Sequence, residues 1–215
     1  MTAEYSPPTA PIDVIHADDE ILVVAKPHGL LSVPGKGVHL ADCLLTRLRE
    51  AFPATLLVHR LDRDTSGLMV FALTPHAQRH LGLQFEKRQV RKAYVARVHG
   101  RVPGRAGTID LPLAVDWPNR PRQMVDLRHG RPALTKWELL QSCADESRLV
   151  LFPRTGRSHQ LRVHCLAIGH PILGDLLYAQ GEAREHDRLM LQSVSLRFRH
   201  PADGRAASFS AEPEF

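Results

Sequence analysis

The alternation of apolar and polar residues predicts β-strands along most of the chain. Residues 12–27 read IDVIHADDEILVVAKP, which predicts two short strands on either side of an acidic turn at Asp18–Glu20. Two further apolar strands, LLV and GLMVFAL, flank a burst of charged residues at 59–64. The segments KAYVARVHG, ALTKWELL, RLVLF and RLMLQSVSLRF also predict strands, and residues 100–133 predict strands joined by long loops.

Apolar residues at helical spacing predict helices in three places. The predicted buried faces are Leu40, Leu44, Leu48 and Phe52 in the first, Ala77, Leu81 and Phe85 in the second, and Leu161, Cys165 and Ile168 in the third. Thr74 and Pro75 are a typical cap and first-turn residue for the second helix, and Gly169 ends the third. Because strands outnumber helices and turns join most of them, we predict an α+β fold with a mainly antiparallel sheet flanked by helices and loops.

The length and composition are those of one large globular domain. The chain has 215 residues, of which 43% are hydrophobic and 24% are charged. We expect a flexible N-terminal tail at 1–11, a catalytic domain at 12–202 and a frayed C-terminal tail at 203–215. No apolar run approaches the roughly 20 residues that span a bilayer, and the first residues lack the basic and apolar regions of a signal peptide.

Cysteine and histidine usage bears on redox compartment and metals. Cys43, Cys143 and Cys165 are odd in number and widely spaced, which predicts neither disulfides nor a zinc site and indicates a reducing cytoplasm. Thirteen histidines leave a metal-dependent hydrolase as an alternative. However, His76 and His80 lack a third ligand nearby in sequence, so we interpret this pair as a solvated helix face and predict no metal.

The charge balance indicates an anionic partner. Lysine and arginine number 28 against 23 acidic residues, a formal net charge of +5, and arginine far exceeds lysine. Guanidinium groups match phosphates and stack on bases, so this surplus suits nucleic-acid binding. A GC-rich genome, whose codons favour arginine, would explain the same surplus.

Asp62 is the first candidate for a catalytic group. It lies with Arg60 and Arg63 in the charged burst between two apolar strands. Burial raises the pKa of a carboxyl group, whereas a nearby guanidinium lowers it by about 1–3 units and keeps the group ionised. Such a carboxylate can act as a nucleophile or base, and a structural ion-pair turn is the alternative. Asp64 could pair with Asp62 as in glycosidases, but the sequence Asp-Thr-Ser-Gly favours a turn-capping role.

The segment RTGRSHQLRVH, residues 154–164, is the densest basic cluster. Its basic residues are Arg154, Arg157, His159, Arg162 and His164. A helix starting near Ser158 would add the partial positive charge of its N-terminus. The cluster therefore predicts an anion site, for RNA phosphates or for a catalytic carboxylate, with a solvated basic loop as the alternative.

Two aromatic residues stand near basic side chains. Tyr94 shares a strand face with Lys92 and Ala96, where its ring could stack on a base or pack in the core. Trp117, in DWPNRPRQ, is expected to be exposed. Beside arginines it would offer a stacking platform for single-stranded RNA, at about 1–3 kcal/mol per base.

Several sequence blocks resemble the RluA-type pseudouridine synthases. The most specific is HRLDRDTSGLMVFAL; ILVVAKPHGLLSVPG, KAYVARV, GRSHQLRVH and GHPILGD also match, in the family's order. The resemblance covers residues 12 to about 200 and implies a single pseudouridine-synthase-like catalytic domain without an S4 RNA-binding domain. The string DLPLAVDWPNRPRQMV and the short chain are similar to dual-specificity members, which act on 23S rRNA and on the first position of the tRNA anticodon loop.

The resemblance implies catalytic roles. Asp62 is identified with the catalytic aspartate and Arg162 with its ion-pair partner. Tyr94 is identified with the tyrosine that stacks on the target uracil and helps to remove its proton. Arg60 is similar to the residue that enters the RNA stack when the uridine flips out.

Other residues are expected to contact the substrate. Leu191, or its neighbour Leu189, would pack beneath the base, although Gln192 stands where relatives usually have histidine. We further assign RNA contacts to Arg157, His159 and Lys92. The isomerisation conserves atoms, so the resemblance implies no cofactor or metal, and a monomer is the expectation for such a domain. A non-catalytic RNA-binding or ribosome-assembly factor is the alternative function.

Overall fold

A computed structural model describes residues 5–215 of the chain. The strands are β1 (Asp13–Ala17), β2 (Ile21–Lys26), β3 (Leu56–Leu57), β4 (Ser66–Ala72), β5 (Arg91–His99), β6 (Ala106–Asp110), β7 (Leu113–Val115), β8 (Gln123–Val125), β9 (Leu134–Ser142), β10 (Glu146–Pro153), β11 (Leu191–Arg199) and β12 (Ala206–Ser210). The α-helices are α1 (Leu44–Ala51), α2 (Pro75–Glu86) and α3 (Gln160–Ala167). The chain forms two compact units, one running to Arg91 and including Ser193–Glu212, the other comprising Lys92–Gln192 and Pro213–Phe215.

The first unit is a sheet covered by α2. Its strands follow the order β1–β2–β4–β11, with β3 beside β4 and β12 beside β11, and β2 runs antiparallel to both neighbours. Ala77 and Leu81, on the apolar face of α2, join the buried cluster of the sheet. Gly67 permits close approach of β11, because a Cβ on its backbone, at φ +103°, would lie 2.2 Å from the Ser193 carbonyl oxygen.

The second unit is a sheet with α3 and a separate hairpin. Strands β5, β10, β9 and β6 are neighbours in this order, and each pair is antiparallel. Buried and half-buried residues alternate strictly along β10, as in a strand with one core face. The hairpin is formed by β7 and β8. Val163 of α3 packs with Leu113, Ala133 and Tyr178, so α3 lies against the base of this hairpin.

The predicted α+β class is confirmed, as are most predicted elements. α2 begins where the sequence indicated, because the Thr74 hydroxyl accepts a hydrogen bond from the Ala77 amide at 3.0 Å. α1 begins later than the apolar stripe suggested: Cys43 caps it, and Leu40 belongs to a preceding turn of 3-10 helix. None of the helices described within residues 5–215 combines the length and the apolar character that a bilayer span requires.

The C-terminal segment is ordered, so the expectation that it frays is wrong. Ala206–Ser210 form β12, which pairs antiparallel with β11 from Ser195 to Arg199. Phe209 and Ala207 pack against the core cluster of the first unit, and the Phe209 ring stacks on Phe198 at 5.9 Å between centroids. The edge of β11 supplies hydrogen-bond partners that the local sequence did not reveal.

The predicted N-terminal tail is only partly covered by the structure, since residues 1–4 lie outside the described part. From residue 5 to residue 12 the chain forms no helix or strand. The Tyr5 hydroxyl donates to the Asp42 carbonyl at 2.9 Å and accepts from the Leu31 amide at 3.1 Å. Arg47 donates to the Pro8 carbonyl at 2.7 Å. These bonds tie the segment to the start of α1.

Candidate active site

Asp62 lies in the loop between β3 and β4, within the first unit. Its side chain is half-buried, while Arg60 is exposed and Leu61 between them is buried. The Asp62 carbonyl accepts a hydrogen bond from the Thr65 amide at 3.2 Å, which closes the turn before β4. The loop thus anchors an apolar side chain in the core and leaves Asp62 partly accessible.

Lys26 ties this loop to the end of β2. Its side chain is completely buried, and its ammonium donates to three carbonyl oxygens at 2.8 Å each. Two of these, from Pro27 and Leu30, lie in its own segment, and the third belongs to Arg63, directly after Asp62. A buried charge is costly unless it is hydrogen-bonded. If the Asp62 loop moved, this buried ammonium would lose one of its acceptors. The hydrogen bond from Lys26 to the Arg63 carbonyl therefore holds the loop in place.

Two more side chains of residues 26–32, which we call the clamp segment, bind the same loop. His28 Nδ1 lies 2.7 Å from the Asp64 carbonyl oxygen. The Ser32 hydroxyl donates to the Leu61 carbonyl at 2.7 Å and accepts from the Leu61 amide at 3.2 Å. All three clamp side chains contact main-chain atoms of residues 61–64. The position of the Asp62 backbone is consequently set by the clamp segment.

Asp64 lies in the turn, as predicted. Its two carboxylate oxygens accept hydrogen bonds from Nε and Nη2 of Arg63 at 2.7 and 2.9 Å. This pair is partly exposed and adjacent in sequence, so its contribution to stability is small.

Arg162 lies on α3 in the second unit and binds Asp175. Its Nε and Nη2 donate to Oδ2 and Oδ1 of Asp175 at 2.8 and 2.6 Å, and both side chains are almost completely buried. Asp175 follows Gly174 in the block GHPILGD, and it was not singled out from the sequence. Burial, together with the Asp175 charge, raises the pKa of the neighbouring Cys165 thiol to about 12, so this cysteine stays protonated.

Tyr178 joins Arg162 to two other parts of the second unit. Its ring centroid lies 5.1 Å from the Arg162 guanidinium carbon and 5.3 Å from that of Arg122. Its hydroxyl accepts from the Gln123 amide on β8 at 2.7 Å and lies 2.7 Å from His159 Nδ1. Arg162 and His159, both candidates from the sequence, are therefore brought together through a tyrosine that the sequence did not single out.

A buried polar network holds the loop before α3. Gln160 donates through Nε2 to Thr135 at 3.0 Å, and its Oε1 accepts from the Thr155 hydroxyl at 2.7 Å and from the Arg157 amide at 3.0 Å. His164 Nδ1 lies 2.9 Å from the Thr135 hydroxyl and its Nε2 lies 3.0 Å from a backbone carbonyl. Nε2 must donate to that carbonyl, which leaves Nδ1 to accept from Thr135 in the neutral ring.

The pH dependence of stability should report on His164. Burial lowers the pKa of this histidine below its usual 6.5, so the unfolded chain binds the proton more readily. Its stabilising contribution is present above pH 6.5 and is lost as the pH falls towards the folded-state pKa. We expect the His164→Gln variant to have a flatter dependence of Tm on pH between pH 7.5 and 5. Equal slopes in thermal melts of both proteins would contradict this, and His129→Gln, at an exposed position, is the control.

Lys92 and Tyr94 lie on β5. Tyr94 is buried and pairs in register with Leu151 of β10. Lys92 is half-buried, and burial lowers the pKa of its ammonium. A Cβ on Gly156 would lie 3.7 Å from Lys92 Nζ, so this lysine stands beside the loop that carries Arg157.

The two leucine candidates lie at the start of β11. Leu189 precedes the strand and Leu191 is its first residue, and both are buried. Gln192, the departure from the family pattern, accepts a hydrogen bond through Oε1 from the Glu214 amide at 2.8 Å. The side-chain amide of Gln192 thus binds the backbone of the C-terminal residues.

The candidates divide between the two units. Asp62 and Arg60 belong to the first, and the remaining candidates, Lys92, Tyr94, Arg157, His159, Arg162, Leu189 and Leu191, belong to the second. The pairing of Arg162 with Asp62 stays a prediction. Within residues 5–215 no three histidine, cysteine, aspartate or glutamate side chains are grouped so as to hold a metal. His76 and His80 instead lie near the Pro201 carbonyl and Gln84.

Sequence reasoning missed Lys26, Asp175 and Tyr178. Lys26 ends an apolar strand, and a lysine in that context signals a buried, hydrogen-bonded charge. Asp175 lies inside a block that matched the family, but no local feature indicated its partner.

Trp117 is exposed as predicted, and the Arg120 guanidinium carbon lies 4.2 Å from its ring centroid.

Comparison with known proteins gives the family. The RNA pseudouridylate synthase family matches residues 20–167. The chain is 50% identical over 214 residues to the dual-specificity RNA pseudouridine synthase RluA of Escherichia coli K12, and 47% identical to that of Pasteurella multocida, with 98% of each chain covered. The solved structure of human RNA pseudouridylate synthase domain containing 1 is similar with a TM-score of 0.80 at 30% identity, covering 96% of this chain and 86% of that one.

These matches support catalysis and do not support the alternative of a non-catalytic RNA-binding factor. The signature blocks lie in the matched segment or just after it, and the fold agrees with that of the human protein. The chain belongs to the RNA pseudouridylate synthase family and is an isomerase that converts uridine in RNA to pseudouridine.

Proposed function

We propose that this enzyme modifies uridines in both 23S rRNA and the tRNA anticodon stem-loop, at the first position of the loop. The observation that carries the proposal is the 50% identity, over 98% of both chains, to relatives whose name states dual specificity. The string DLPLAVDWPNRPRQMV, similar to that of dual-specificity members, supports it as well. Such substrates place the reaction in the cytoplasm, and we expect a monomer.

Asp62 is the catalytic residue of this proposal. The bond between uracil N1 and ribose C1′ breaks, the base turns, and C5 joins C1′. The C5 proton then leaves and N1 gains a proton, so the atoms balance without a cofactor. The Asp62 carboxylate either attacks C1′ as uracil leaves and is displaced when C5 bonds to C1′, or removes the C2′ proton to give a glycal and returns it when C5 bonds to C1′. Its half-buried position, with the backbone held by the clamp segment, suits either route because little reorganisation is needed.

The remaining candidates serve substrate binding and proton transfer. Tyr94 stacks on the target uracil and assists loss of the C5 proton, and Arg162 is the partner of the Asp62 carboxylate. Arg60, which is exposed, fills the place of the flipped base. Flipping costs a few kcal/mol, which contacts to the base and the phosphates must offset.

Further contacts complete the proposed binding site. Leu191 or Leu189 packs beneath the base. Arg157, His159 and Lys92 bind the RNA backbone, and their basic or hydrogen-bonding groups suit phosphate oxygens. Trp117, exposed and close to Arg120, would stack on an unpaired base.

Tritium release tests the proposal. RNA carrying C5-tritiated uridine, as a 23S rRNA fragment or as an anticodon stem-loop, is incubated with the purified chain and no cofactor. We expect tritium release from both RNAs, with pseudouridine mapped at a single position in each. Release from only one RNA would refute dual specificity, and release from neither would refute the activity on these substrates.

A further inference from the structure

Asp175 and Arg162 form a buried ion pair with two hydrogen bonds. Both oxygens of the carboxylate are used, with Nε to Oδ2 at 2.8 Å and Nη2 to Oδ1 at 2.6 Å. Two parallel bonds fix the plane of a guanidinium, which one bond cannot do. The third nitrogen, Nη1, is not part of this pair. Because the guanidinium is planar, the bonds made by Nε and Nη2 also set the direction in which Nη1 points.

The Asp175 carboxylate is itself held by the backbone. Oδ1 also accepts from the amides of Leu177 and Tyr178 at 3.0 and 3.2 Å. The backbone before it is tightly packed, because a Cβ on Gly174 would lie 1.8 Å from the Arg188 carbonyl oxygen. The carboxylate therefore has little freedom to turn, and the Arg162 guanidinium that it binds is restricted in the same way.

Tyr178 adds a second constraint. Its ring lies against the Arg162 guanidinium, and its hydroxyl binds the Gln123 amide of the β7–β8 hairpin. A cation near an aromatic face is attracted to it, and more strongly when both are shielded from water. Both constraints on Arg162 thus come from one short segment, residues 175–178.

We propose that Asp175, supported by Tyr178, is a positioning residue that aims Arg162 in the catalytic reaction. This role rests on the proposed function, in which Arg162 is the partner of Asp62. Asp175 touches no reacting atom; it acts through the guanidinium alone. Loss of its charge therefore affects the rate of the chemical step and not the binding of RNA.

The test is a double-mutant cycle with Asp175→Asn and Arg162→Lys, read by tritium release. We expect Asp175→Asn to lower kcat by about 10- to 100-fold with KM little changed, as for misplacement of a catalytic group. In the Arg162→Lys background, which lacks the planar fork, the same change should lower kcat no further. Asp145→Asn, an exposed aspartate in the same unit, is the matched control and should keep wild-type kcat.

A second pair of variants applies where Asp175→Asn does not fold. Tyr178→Phe keeps the ring and loses the hydroxyl, whereas Tyr178→Leu loses both, so kcat should fall further in Tyr178→Leu, and that extra loss should vanish in the Arg162→Lys background. If the wild type is active, an unchanged kcat in Asp175→Asn would overturn the positioning role alone. The same holds if the Asp175 or Tyr178 substitution lowers kcat by the same factor in the Arg162→Lys background as in the wild-type background. A wild type that releases no tritium would overturn the proposed function and this role together.

Discussion

Replacing Asp62 by asparagine should lower turnover by about 10³-fold or more, the scale of losing a catalytic acid or base. An amide can neither attack C1′ nor accept the C2′ proton, so both routes stop. The fold should survive, because the clamp segment binds main-chain atoms of residues 61–64, which the substitution leaves in place. Single-turnover tritium release measures the rate, and gel-shift titration measures RNA affinity, which should change little.

Asp64→Asn is the matched control for this prediction. It removes an equal charge from the same turn, and the ion pair that it breaks, with the adjacent Arg63, is partly exposed. Such pairs contribute about 0–1 kcal/mol, so stability and turnover should stay close to wild type. Equal losses in the two variants, or an active Asp62→Asn protein, would remove Asp62 from the proposed mechanism.

Replacing Lys26 by methionine should lower the free energy of unfolding by about 2–4 kcal/mol. Each buried carbonyl that loses its donor costs about 1–3 kcal/mol, and the removal of a buried charge offsets part of this. Three carbonyls are affected, including that of Arg63, so the Asp62 loop also loosens. We therefore expect a lower urea midpoint and a lower kcat in the protein that remains folded.

Lys36→Met serves as the control for the stability effect. Lys36 is exposed and lies shortly after the clamp segment, so methionine there should shift the urea midpoint only slightly. A Lys26→Met protein as stable as wild type would show that the three hydrogen bonds contribute nothing net. Unchanged kcat in that variant would show that the Asp62 loop is held without the lysine.

Local signals were sufficient for most elements of the fold. Thr74 and Pro75 marked the start of α2, and alternation marked β5 and β10. The C-terminal strand was missed because its own alternation, AASFS, is weak, although its partner, β11, ends only a short turn before it. When a strand is stabilised mainly by pairing with the edge of a sheet, its own residues give only a weak indication that it will form.

Neighbouring residues were enough to predict the fold class and the family and to single out Asp62 as the catalytic candidate, because capping residues, alternation and the HRLD block are local features of the chain. The folded structure was needed to show that Lys26 binds the Arg63 carbonyl, that Asp175 binds Arg162 and that Tyr178 contacts both Arg162 and β8. Hydrogen bonds and ion pairs link atoms that are close in space. Folding brings these residues together, and their spacing along the sequence does not indicate which of them will pair.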